Sequence, residues 1–90
     1  MTDTKDLRQE AAAPEIETLD CSGLLCPLPV YQAALVLNRL AAGERLRLIT
    51  TDPGALLDVP AMARQRGDTL LSVVEEQGRQ TFELEKGSST

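Results

Sequence analysis

Histidine and tryptophan are absent from the 90 residues, and Tyr31 and Phe82 are the only aromatic side chains. Without an imidazole, and with Cys21 and Cys26 as the only cysteines, the chain can assemble neither a usual zinc site nor a Cys-His nucleophile pair. No metal and no resident cofactor are therefore expected. No stretch of eighteen apolar residues occurs, and the start Met1-Thr2-Asp3-Thr4-Lys5 leads into polar and alanine residues rather than an apolar leader core, which points to a soluble, cytoplasmic protein. In that compartment two cysteines are more often catalytic, redox-active or buried than joined in a structural disulfide. Positive charge is also short: nine Lys and Arg against fourteen Asp and Glu leave a net charge of −5. Direct nucleic-acid binding, which rests on Lys and Arg replacing counterions, is not expected. Arg39, Arg45, Arg47, Arg64, Arg66 and Arg79 could form a local basic patch for a protein partner, although solvated helix and strand faces are the plainer reading.

What is present is one small domain whose interior must be built from Leu, Val, Ile and Ala, so that several elements share one apolar layer. Residues 1–14 lack a sustained apolar period and read as a flexible tail. The segment Glu15-Ile16-Glu17-Thr18-Leu19-Asp20-Cys21 reads as a first strand that turns at Ser22-Gly23, with Leu19 and Cys21 on one face. Over 27–42, Val30, Ala34, Leu37 and Ala41 recur at helical spacing, widened by Leu35 and Leu40, and Gly43 is the stop. Alternating Arg45, Leu46, Arg47 and Leu48 predict a strand over 44–51. Asp52 as N-cap and Pro53 at the first helical position open a second helix that closes at Gly67 and is bent by Pro60. Strands over 69–76 and 79–86 are joined by Gln77-Gly78 as a tight hairpin. The order strand, helix, strand, helix, strand, strand gives a two-layer α/β sandwich, both helices on one face of the sheet. The domain covers 15–87, and 88–90 is a frayed end.

Cys26 falls where the first loop runs into the first helix. Pro27 and Pro29 suit a first helical turn, whose N–H groups have no intrahelical partner. The sulfur is thus expected at a helix mouth, where the N–H groups of Leu28 and Val30 and the positive end of the helix dipole stabilise a thiolate. That would lower the thiol pKa enough for a substantial thiolate fraction at neutral pH without a base.

Leu19-Asp20, then Gly23, then Cys26-Pro27-Leu28-Pro29, followed by Asp52-Pro53 and Asp58-Val59-Pro60, resembles the TusA/SirA family of small sulfur carriers over about 15–87. A bare Cys-Pro-x-Pro is a weak signal, but within this framework it is a specific one. The resemblance implies a sulfurtransferase in which Cys26 accepts sulfane sulfur as a transient persulfide from a cysteine desulfurase or rhodanese-like protein and passes it to an acceptor protein. Family uses are tRNA thiolation, molybdenum-cofactor biosynthesis and sulfur oxidation. It also implies a mixed four-stranded sheet with the last strand antiparallel between the second and third.

Around Cys26, four residues are expected to shape the site. Pro27 and Pro29 set the helix start. Asp20 turns toward N–H groups of the following loop, since a carboxylate aimed at the sulfur would raise its pKa. Gly23 supplies a positive φ or a close approach. Leu24, Leu25 and Leu28 either present an apolar docking surface beside the thiol or pack in the core. Cys21 reads as a small buried hydrophobe, with a resolving thiol as the sharper alternative. Two other functions stay open: a non-catalytic interaction or regulatory module, and a Cys21–Cys26 thiol-disulfide switch. A carrier that offers one thiol to successive partners is expected to be a monomer with transient contacts.

Overall fold

The computed structural model describes residues 16–88. The expected tail, residue 15 of the first strand and the last two residues lie outside them. Six elements follow the expected order: β1 Ile16–Cys21, α1 Leu28–Arg39, β2 Arg45–Thr50, α2 Ala55–Arg66, β3 Thr69–Glu76 and β4 Arg79–Glu85. The sheet order is β1-β2-β4-β3, with β1 and β2 parallel and β4 antiparallel to both of its neighbours. The last strand is thus inserted between the second and third.

Alternation along the strands decides which face the helices cover. Leu46, Leu48, Phe82 and Leu84 are fully buried and pair across β2 and β4, while Arg47 and Glu83 between them face outward and pair at 2.6 Å. Against the apolar face lie Ala33, Val36 and Leu37 of α1 and Ala55, Val59, Met62 and Ala63 of α2. Both helices therefore sit on one side of a two-layer α/β sandwich. The β3–β4 turn has positive φ at both Gln77 (52°) and Gly78 (77°), the conformation that a two-residue hairpin matched to strand twist requires.

Three local expectations need correction. Helix α1 ends at Arg39 rather than Ala42, because Lys86 reaches across from the end of β4 and donates Nζ hydrogen bonds to the carbonyls of Leu37 (2.7 Å) and Leu40 (3.0 Å). That cap is supplied from far along the chain. It also leaves Ala41 exposed, and the buried stripe is Pro29, Ala33, Val36 and Leu37, with Val30 and Ala34 at its margin and Leu35 in solvent. Helix α2 begins at Ala55 rather than Pro53: Asp52-Pro53 forms a turn, closed by the Ala55 N–H on the Asp52 carbonyl at 3.0 Å. Pro60 lies inside α2 without ending it, as expected.

Lys86→Met keeps the apolar stem and removes both donors from the helix terminus. It is expected to cost about 1–2 kcal/mol and to lower the melting temperature by about 4–16 °C, read by thermal denaturation. No change would mean that water replaces the ammonium at no cost. Three of the six arginines named above are paired with carboxylates: besides Arg47, Arg39 pairs with Glu17 at 2.9 Å and Arg66 with the buried Asp68 at 2.7 Å.

Candidate functional site at Cys26

Because β1 and β2 are parallel, Cys21 and Thr50, their last residues, stand opposite each other, and the loops that follow leave from the same end of the sheet. The loop after β1 carries Cys26, and the loop after β2 carries Asp52 and leads into α2. Two hydrogen bonds tie the loops together. The Gly23 N–H donates to Thr51 Oγ1 at 2.8 Å, and the Cys26 N–H donates to Asp52 Oδ2 at 2.7 Å.

Asp52 is the residue on which this junction turns. Its second oxygen accepts from the Gly54 N–H at 3.0 Å, so one carboxylate holds the backbone of the cysteine and the entry to α2 together. These two N–H donors hold its pKa below the ordinary carboxylate value. Beneath it, Gln80 on β4 is buried, with its amide oriented by the surrounding pattern so that the nitrogen faces Thr50 Oγ1 (2.6 Å) and the carbonyls of Thr50 and Asp52 (3.2 Å each), its two hydrogens shared among these three acceptors. The end of β2 is thereby pinned from the core side. Sequence reading assigned Asp52 only to the helix start and did not single out Gln80. The signal available was topological: in parallel α/β sheets, sites gather at the carboxyl ends of the strands.

Asp20 behaves as expected. Its Oδ1 accepts from the Ser22 N–H at 2.9 Å and the Ser22 hydroxyl at 2.6 Å, and these bonds lower its pKa. Gly23 has φ 86°, which explains the residue without any catalytic role. Pro27 stands just before α1, across a cis peptide bond from Cys26, and Pro29 is buried within the first turn. Leu24 packs on the core, while Leu25 is 69% exposed and Leu28 48% exposed, so core packing does not account for the latter two. Tyr31, three residues after Leu28 on α1, and Leu57 in the first turn of α2 are exposed as well.

The electrostatics of the thiol differ from expectation. The Leu28 N–H is not available to the sulfur, since it donates to the Leu25 carbonyl at 2.9 Å. The start of α2 lies against Cys26 instead: a Cβ added to Gly54 would meet Cys26 Cβ and Sγ at 3.6 Å. Desolvation, the Asp52 charge, and a hydrogen bond and charge from Asp58 all push the Cys26 thiol above its ordinary value. Each of these influences disfavours the thiolate that a helix mouth alone would stabilise. Cys21 is 2% exposed in the core, its pKa raised chiefly by burial, and both cysteines are free. Among the described residues, no group of three or more metal-ligating side chains occurs, and no helix is long and apolar enough to cross a membrane.

Comparison with known proteins agrees with this geometry. In fold, the chain is similar to a SirA-like protein from Desulfitobacterium hafniense, with a TM-score of 0.70 over 81% of this chain and 99% of that one; the sequence identity is 24%, so the likeness speaks for the fold alone. In sequence, it is 43% identical over 70 residues to the sulfur carrier protein TusA of Allochromatium vinosum, covering 78% of this chain and 92% of that protein. It is 38% identical over 68 residues to TusA of Pseudomonas putida, covering 76% and 85%. The family model described as sulfurtransferase TusA matches residues 17–86, from β1 to just past β4 and across every residue of the site, and the chain belongs to that family of sulfur carriers.

Proposed function

We propose that the chain relays sulfane sulfur as a persulfide on Cys26. The supporting observation is the contrast between its two thiols. Cys26 is partly exposed on the rim where the cysteine loop meets α2, whereas Cys21 is closed into the core. The reaction moves one sulfur atom without net oxidation: the Cys26 thiol and a donor persulfide become a Cys26 persulfide and a donor thiol. The donor in this reading is a protein such as a cysteine desulfurase or a rhodanese, the acceptor is a second protein, and both meet the carrier in the cytoplasm as transient complexes with a monomer. Leu25 and Leu28, both exposed and within two residues of Cys26, offer an apolar collar beside the thiol for such contacts. Delivery onward to tRNA thiolation, molybdenum-cofactor assembly or sulfur oxidation depends on which acceptor fits that collar.

Intact-mass measurement tests the reading. Incubation with a cysteine desulfurase and cysteine, or with a rhodanese and thiosulfate, is expected to add about 32 Da per sulfur, reversible by reductant. Cys26→Ser should abolish the adduct and Cys21→Ser should retain it. An adduct that survives in Cys26→Ser overturns the assignment. Absence of loading from either donor favours a non-catalytic module, and a two-dalton loss under mild oxidant favours a Cys21–Cys26 switch.

A further inference from the structure

Asp58 stands one helical turn after Gly54 on α2, and its N–H donates to the Gly54 carbonyl at 3.1 Å. Residues four apart share a helix face, so the residue whose missing side chain lets α2 rest against Cys26 is followed on that face by a carboxyl group. The Asp58 carboxyl is thereby placed on the face of α2 that meets Cys26, where its charge opposes the thiolate. Asp52, the other carboxylate acting on the sulfur, is occupied, accepting one backbone N–H on each oxygen, and Asp20 is turned onto Ser22.

We propose that Asp58 is the proton shuttle of sulfur transfer at Cys26, an inference that rests on the persulfide reading. A donor persulfide is an anion at neutral pH, and a thiolate approaching it would bring two negative charges together inside a site already lined by two carboxylates. A protonated Cys26 avoids this, which gives its acidic setting a purpose. As Cys26 Sγ attacks the outer sulfur of the donor persulfide, its proton passes to the Asp58 carboxylate. The new S–S bond forms while the donor S–S bond breaks, and the electron pair of the broken bond leaves on the donor cysteine sulfur. Asp58 then gives the proton to that sulfur. A thiol and a persulfide anion enter and a persulfide anion and a thiol leave, so charge and oxidation level are conserved with no further reactant.

The test uses the full chain and glutathione persulfide, a small donor that needs no protein docking surface. Two rates are compared at pH 7: alkylation of Cys26 by iodoacetamide, which follows the thiolate fraction alone, and sulfur loading by intact mass. In Asp58→Asn, alkylation should rise while loading falls by about ten-fold or more, because the neighbouring charge is lost together with the proton acceptor. Asp58→Glu, which keeps a carboxylate, should load to within about five-fold of the unmodified chain. Loading that rises in step with alkylation in Asp58→Asn would reduce Asp58 to an electrostatic burden and overturn the inference, as would equal losses in both variants. A failure of the unmodified chain to load at all would overturn the persulfide reading, and this inference with it.

Discussion

Phe82→Ala is expected to remove about 3–5 kcal/mol of folding stability. Phe82 is fully buried on β4, paired with Leu48 of β2 on one side and Val73 of β3 on the other, and it is the bulkiest side chain of the core. With no other buried aromatic, the cavity left by its ring would be lined by aliphatic groups of two strands and two helices that cannot all close on it. A domain of this size holds about 5–10 kcal/mol in total, so the variant would sit near the edge of folding. Urea denaturation should show the midpoint fall by about 3–5 M at an m-value of about 1 kcal/mol/M, with Phe82→Leu losing less than about half as much. A loss of under about 1.5 kcal/mol in Phe82→Ala would show that the interior collapses onto the vacancy and that the ring is not its keystone.

That core was readable because its signals are local. Leu46 and Leu48 alternate with Arg45 and Arg47, and the partner strand alternates in phase, so two short stretches name the buried face without reference to each other. Gly67 closes α2 with φ 84°, and Gly78 closes the hairpin, each at a position where a side chain is disfavoured. Asp20 was readable for the same reason: its partner Ser22 is two residues away. Two of the misreadings have the opposite property. Helix α1 ends early because of Lys86, 46 residues beyond Leu40. The Cys26 thiol is raised rather than lowered by burial first, and then by Asp52, whose bond to the Cys26 N–H spans 26 residues, and by Asp58. Counting the free N–H groups of the first turn located the sulfur but took no account of the carboxylates that the second crossover delivers to the same spot, which oppose its thiolate. The motif picks out Cys26, whereas the setting of its thiol is made by residues the topology brings to it.

Titration of the two thiols should make that sign visible. The rate of Cys26 alkylation by iodoacetamide in the unmodified chain is expected to reach half its maximum at a higher pH than in an unstructured cysteine peptide measured alongside, because burial and the Asp52 and Asp58 charges oppose the thiolate. Asp52→Asn keeps an oxygen that can accept the Cys26 N–H and removes the charge beside the sulfur. Its half-maximum should move to lower pH, and at pH 7 its alkylation should be faster than that of the unmodified chain. Cys21 adds a limit on the alkaline side. Its folded pKa lies above the unfolded one, so the core holds the neutral thiol at full strength below the unfolded value, and this contribution is lost as pH rises through the folded value. The chain should therefore lose stability in alkali, and Cys21→Ala should flatten that part of the stability profile while leaving the Cys26 alkylation curve in place. A half-maximum for Cys26 below that of the free peptide would mean that the helix mouth outweighs the two carboxylates. The carrier would then rest as a thiolate, and the proton for the departing donor sulfur would have to come from elsewhere.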